Sequence, residues 1–288
     1  MTTPDTTRRH SYDAEGPVDI AVHIGAGGVE VRLRDEPGVT VEISPAPDEA
    51  SPWAEGLAGI MSWVMGEQQG TDLTAEAVTQ ASVDFGGDVL SVRSAKGGPL
   101  RGQPISVVVH APAGSSVDIA TQGANAAVTG RADRVEIGTG AGEITVEQAT
   151  GPVRLTSGTA AIRMGPAPAG GHLRSGSGEI DVTSLGGSST VATSGGMIRL
   201  GTVTADVLVR TGTGDIAVKE AVSGKIELTS GSGSFRVGVA APAELDLVST
   251  SSVARSEIPI TQKRVAAAAL HVTGRTGSGT ILVHKAAG

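Results

Sequence analysis

Glu143, Glu179 and Asp215 are the carboxylates whose spacing could do chemistry: each follows a glycine and precedes an isoleucine, at intervals of 36 residues. Paired acids can divide general-acid and general-base work in glycoside hydrolysis, where a separation of about 6.5–9.5 Å leaves room for a water. Acids beside glycine turns can also supply oxygen ligands to calcium. His10, His23, His110, His172, His271 and His284 are the only imidazoles, and they show no metal-ligand spacing. Many Gly-x-Gly segments occur, but none continues as a phosphate-cradling Gly-x-x-x-x-Gly-Lys-Ser/Thr, and there is no Gly-x-Ser-x-Gly nucleophile turn.

What must position these residues is a repeat. Thr139-Gly140-Ala141-Gly142-Glu143-Ile144-Thr145-Val146 recurs as Ser175-Gly176-Ser177-Gly178-Glu179-Ile180-Asp181-Val182 and as Thr211-Gly212-Thr213-Gly214-Asp215-Ile216-Ala217-Val218. With the apolar residue after the turn as anchor, the series is Ala126, Ile144, Ile162, Ile180, Ile198, Ile216, Phe235, Val253 and Ile281. The steps are 18 residues except for one of 19 and a last one of 28. Within a unit, apolar residues come two apart (Val135 and Ile137, Ile144 and Val146), which places them on one face of a strand. The glycine-rich segments between them supply tight turns.

Such units cannot bury their own Ile and Val, but stacking them buries a continuous core. The predicted fold is therefore all-β: a parallel β-solenoid of about nine 18-residue coils with two strands per coil. Outward positions should form columns, with Arg163, Asp181 and Arg199 alternating in sign and Asp118, Glu136, Arg154 and His172 on the other strand. Stacking also sets the chemistry of the acids. Glu143 and Glu179 fall on alternate coils, about 9.6 Å apart, too far to share one calcium ion. Short turns leave no wall for a cleft, so these acids read as solvated and no catalytic, metal or cofactor residue is assigned.

Ahead of the repeat, residues 17–44 hold three alternating runs, with turns expected at Gly25-Ala26-Gly27-Gly28 and at Pro37-Gly38. Ser51-Pro52 reads as a helix start, and Trp53, Leu57, Ile60, Met61 and Val64 share one helical face. An amphipathic helix over 52–66 would cap the exposed solenoid end or, alternatively, offer those five side chains to a partner. The insertion at 258–269 would cap the other end. The predicted organisation is a flexible tail over 1–14, an N-terminal β region over 15–110 and solenoid repeats over 111–288.

Composition narrows the function. The chain has 288 residues, 42 of them Gly, no Cys, only five Trp, Tyr or Phe, and net charge −8. Disulfides and thiolate metal sites are excluded, and an acidic chain poor in aromatics lacks the usual means of holding nucleic acid. No apolar run is long enough to span a membrane. Met1 to Gly16 has no apolar stretch behind Arg8 and Arg9, so it does not resemble a secretory leader, and the expected location is cytoplasmic rather than the cell surface.

The strand Ile105-Ser106-Val107-Val108-Val109-His110-Ala111-Pro112-Ala113-Gly114 leads into Val117-Asp118-Ile119 and then into the tandem Ser/Thr-Gly-x-Gly-Asp/Glu-Ile-x-Val units. This arrangement resembles the bacterial putative-adhesin family of β-strand-repeat proteins, a domain of unknown function, over roughly 17–44 and 105–288. The resemblance implies a β-solenoid without catalytic residues. The expected function is a non-catalytic, adhesin-like scaffold for protein or glycan contacts, with homo-oligomerisation left open. The alternatives are a polysaccharide-active β-helix enzyme and a self-assembling structural protein.

Overall fold

The computed structural model describes residues 7–46, 69–95, 100, 102–240, 243–250, 254–256 and 270–286. The protein is an all-β, parallel β-solenoid with one helix among the described residues, as the repeat predicts. It divides into two compact units, Met1–Thr145 and Val146–Gly288. The helix predicted over 52–66, with Trp53, Leu57, Ile60, Met61 and Val64, lies outside the described residues, as does the whole of the 258–269 insertion. No described helix is long and apolar enough to cross a membrane.

The first unit holds β1 (Arg8–Tyr12), β2 (Asp19–Arg34), β3 (Val39–Pro45), α1 (Gln69–Gln80), β4 (Ser82–Gly86), β5 (Val89–Arg93), β6 (Pro104–Pro112), β7 (Ser116–Ala132) and β8 (Val135–Thr139). β9 (Ile144–Ala149) carries the chain into the second unit. The turn predicted at Gly25–Gly28 is instead a bend within β2, a single strand of 16 residues. Gly27 makes the bend at φ 111°, and a Cβ there would sit 2.1 Å from the Ile105 carbonyl oxygen. The bend lets β2 serve two sheet faces. Its first half pairs in parallel with β5 and the start of β7, and its second half with β6 and the rest of β7.

Each face then ends in antiparallel strands. β6 pairs with β3 and β3 with β1, while β5 pairs with β4. Residues 8–12 lie in the stretch predicted as a tail, yet they form β1, and the reason is local. Arg8 donates from Nη1 to the carbonyls of Val78, Thr79 and Ala81 at 2.9, 2.9 and 2.7 Å, so a cation caps the C-terminal end of α1. Tyr12 stacks on Phe85 of β4 with ring centroids 4.9 Å apart, joining the two antiparallel edges. Ser115 fixes the turn after β6: its buried hydroxyl accepts from Val18 N–H and donates to the Pro112 carbonyl.

The second unit is two parallel ladders. One is built from β10 (Val153–Ser157), β12 (Gly171–Ser175), β14 (Ser189–Thr193), β16 (Val207–Thr211), β18 (Gly224–Ser230), β20 (Ala243–Ser249) and β22 (Leu270–Thr276). The other is built from β11 (Ile162–Ala167), β13 (Ile180–Leu185), β15 (Ile198–Val203), β17 (Ile216–Ala221), β19 (Phe235–Val239), β21 (Ala254–Ser256) and β23 (Ile281–Lys285). Ile162, Ile180, Ile198 and Ile216 pair in sequence, as the 18-residue step requires, and all are buried. The step of 19 places Phe235 beside Ile216, and a bulge between Val218 and Ala221 absorbs the extra residue.

Two features extend the predicted coil. A further apolar column is buried at the end of the second strand: Ala167, Leu185, Val203, Ala221 and Val239. The Ser/Thr of the turn motif is also buried, because its hydroxyl does backbone work. Thr193 accepts from Gly196 N–H at 3.2 Å and donates to the Gly178 carbonyl of the preceding coil at 3.1 Å. Ser175 and Ser230 repeat both bonds. The second glycine of the motif is excluded from bearing a Cβ, which at Gly196 would lie 2.0 Å from that same Gly178 oxygen.

The stacking order departs from chain order at the end. β18 pairs with β22, and β22 with β20; likewise β19 pairs with β23, and β23 with β21. The C-terminal coil is therefore inserted between the coil of β18 and that of β20. The Thr276 hydroxyl donates to the Gly233 carbonyl at 2.9 Å, and a Cβ at Gly279 would lie 2.2 Å from that same oxygen, which places this coil on its predecessor in space rather than in sequence. The anchor predicted at Val253 lies outside the described residues, and the backbone opposite Ile281 belongs to Ala254.

Candidate functional site

The stacking turns outward residues into columns, and these decide what the acids of the repeat can do. Arg163, Asp181 and Arg199 are register partners, as are Arg154 and His172. Arg199 Nη1 lies 3.0 Å from Glu179 Oε2 and 3.9 Å from Asp181 Oδ2, with both partners about half exposed. Exposed pairs of this kind contribute about 0–1 kcal/mol. Asp215 Oδ1 accepts from Ser234 N–H at 2.8 Å, and Glu143 Oε1 accepts from the Thr145 hydroxyl at 3.4 Å. Glu179 and Asp215 are thus engaged by the next coil, and Glu143 by the strand that follows it. Among the described residues, no three His, Cys, Asp or Glu side chains are grouped to hold a metal ion.

The ladder led by β10 presents a different column: Thr156, Arg174, Ala192, Arg210, Thr229, Arg275 and Val248, each beside the next. Its arginines are exposed. Glu227, on the same face, is held by Lys225. That pair lowers the Glu227 carboxyl and raises the Lys225 amine, each mainly through their mutual hydrogen bond.

In the first unit, the strands that end one sheet face form an open polar groove of about 480 Å³, lined among others by Arg9, Ser11, Arg34, Thr40 and His110. Register places Ser11, Thr40, His110 and Arg32 in one row. Arg32 is bound in a two-point pair to Glu30, at 2.6 Å for each bond, and this pair holds the Glu30 carboxyl below its usual range. Burial pushes the His110 imidazole down, helped by Arg34 and Arg32 and opposed by Glu30. The groove escaped the sequence reading because β1, β3 and β6 share no period. Arg32, Arg34 and His110 alternate outward on strands whose adjacency only the fold reveals.

A solenoid that repeats one coil and shows its polar residues in columns defines a repeat-scaffold class of protein. Within that class the chain belongs to the Toastrack DUF4097 family, whose model matches residues 90–288. The match bears out the resemblance read from the tandem turn units. Among solved structures, the chain is similar to a putative adhesin of Bacteroides fragilis, with 12% identity, 96% of each chain covered and a TM-score of 0.47. It is also similar to a putative lipid binding protein of Parabacteroides distasonis, with 14% identity, 97% of this chain and 96% of that one covered, and a TM-score of 0.43. A putative adhesin of Parabacteroides merdae gives 12% identity, 96% and 95% coverage and a TM-score of 0.39. No curated protein matches the chain significantly.

Proposed function

We propose that this chain is a non-catalytic, adhesin-like scaffold whose solenoid holds outward columns rigid for protein or glycan contact. The supporting observation is the continuous register along β10, β12, β14 and β16, which sets each outward residue about 4.8 Å from its counterpart on the next coil. A surface so spaced matches repeating or extended ligands without needing a pocket. Its residues are anchored by buried neighbours on either side, so little ordering cost falls on the protein when a ligand docks.

Incubating the full chain with immobilised glycans and purified surface proteins, while following both retention and release of reducing ends, tests this reading. Saturable retention without new reducing ends is expected. Release of reducing ends would overturn it in favour of a polysaccharide-active enzyme, and absence of any saturable retention would overturn it as a contact scaffold.

A further inference from the structure

We propose that the face of the second unit led by β10 binds an acidic polysaccharide, with Arg174, Arg210 and Arg275 taking successive carboxylate or sulfate groups of the chain. The inference rests on the reading of the outward columns as contact surfaces and names the ligand for one of them. Arg174 pairs in register with Ala192, Ala192 with Arg210, Arg210 with Thr229 and Thr229 with Arg275. The three arginine positions therefore recur on every second strand, with backbones about 9.6 Å apart. The side chains between them, Ala192 and Thr229, are short, and Glu227, the acid on the same face of β18 within electrostatic reach of Arg210 and Arg275, is taken up by its ion pair with Lys225. Among the described residues none of the three has an ion-pair partner. A planar guanidinium recognises carboxylate and sulfate through paired N–H donors.

The rhythm depends on the inverted stacking order. Were the last coils stacked as they follow in sequence, Val248 would stand beside Thr229 and Arg275 would fall three strands from Arg210 instead of two, breaking the rhythm of about 9.6 Å. Insertion of β22 puts Arg275 there and moves Val248 to the outside. The charge of the unit agrees. Val146–Gly288 carries 13 Lys and Arg against 10 Asp and Glu, a net +3, whereas Met1–Thr145 carries 9 against 20, a net −11. The acidity of the whole chain hides a basic solenoid.

Spacing selects the polyanion. Carboxylates on one face of an extended peptide recur about every 6.6–6.8 Å, which falls out of step with the arginines after one interval. Nucleic-acid binding to a single strand draws on aromatic stacking surfaces, and this column has none. A polysaccharide with one acidic group per disaccharide advances by two sugars between charges, each sugar about as long as the strand spacing.

The test uses the full chain and hyaluronan, which has one carboxylate per disaccharide, with neutral dextran and single-stranded poly(dT) as comparison probes. R174Q/R210Q/R275Q is compared with R163Q/R199Q/R236Q, which removes equal charge from the other ladder; all six positions are exposed, and circular dichroism checks that both variants fold. Expected is hyaluronan binding by the wild-type chain that the first variant weakens about tenfold or more while the second leaves it near wild type. Equal loss in both variants, or poly(dT) bound as well as hyaluronan, would overturn the inference. Failure to bind hyaluronan by a chain that does bind a neutral glycan or a protein would also overturn it, yet leave the scaffold reading standing. Shortening of hyaluronan would overturn the scaffold reading itself.

Discussion

The two units solve the same burial problem with opposite kinds of sequence. Val146–Gly288 repeats one coil, so Ile162, Ile180, Ile198 and Ile216 stack on one another in turn, and the turns at Ser175, Thr193 and Ser230 are each locked by the same hydroxyl and a close-packed glycine. Met1–Thr145 closes each of its own sheet faces with antiparallel strands instead. It uses a bent 16-residue strand, antiparallel edges, a capped helix and an aromatic stack. The difference teaches that a repeat specifies the coils in which it recurs, whereas strands without such a counterpart must be placed by individual interactions.

If so, the units should differ in how they break. The largest effect belongs to a charge placed in the repeat. Ile162→Asp buries an unpaired carboxylate among stacked isoleucines and should cost about 4–5 kcal/mol or more, removing the cooperative thermal transition seen by circular dichroism. The same change at half-buried Val83, in the edge strand β4, should leave a folded chain with a modestly lower melting temperature. Equal melting of Ile162→Asp and wild type would show the assigned register to be wrong.

A smaller loss is expected at the turn hydroxyls. Thr193→Val keeps the shape but leaves the Gly196 N–H without its partner, for about 1–3 kcal/mol by urea unfolding. Thr190→Val, on the outward side of the same strand, should change the midpoint little. Smaller again, Tyr12→Leu removes the stack on Phe85 and should cost about 0.5–1.5 kcal/mol.

The smallest effect is in pH. His110 is held below its ordinary 6.5 by burial and by Arg34 and Arg32, with Arg9 adding and Glu30 opposing. The unfolded chain therefore takes up the proton first as pH falls. The stability linked to this group is complete above 6.5 and declines as pH drops from there toward the native pKa. Urea midpoints at acidic and neutral pH should differ more for wild type than for His110→Gln, and an identical pH response would contradict the placement of the ring.

These contrasts also mark what could be read from the sequence. The coil, its two strands and the Arg163–Asp181–Arg199 column were legible because an 18-residue recurrence of anchors leaves one stacking register that buries them all. The buried hydroxyls were visible as a motif but not as a bond, since Ser and Thr before glycine also mark ordinary exposed turns. β1 was not legible: Arg8-Arg9-His10-Ser11-Tyr12 has no apolar alternation, and it pairs as an edge held by backbone bonds and one arginine. α1 buries only Thr74, Ala77 and Val78 among its described side chains, too small a stripe to stand out against the large residues at 52–66. The inverted end was hidden for a further reason. Either order of the last coils buries the same kinds of side chain, and the 28-residue step is compatible with both.

That inversion is the claim on which both the end of the core and the arginine column depend, and the absence of native cysteine makes it directly measurable. In the full chain, the pairs Thr229→Cys/Arg275→Cys and Thr229→Cys/Val248→Cys are oxidised separately and scored for an intramolecular disulfide. Adjacent strands bring Cα atoms within the 4.4–6.8 Å that a disulfide spans, whereas strands two apart stand about 9.6 Å from each other. The account predicts a bridge between positions 229 and 275 and none between 229 and 248. A bridge between 229 and 248, with none to 275, would show that the coils stack in chain order.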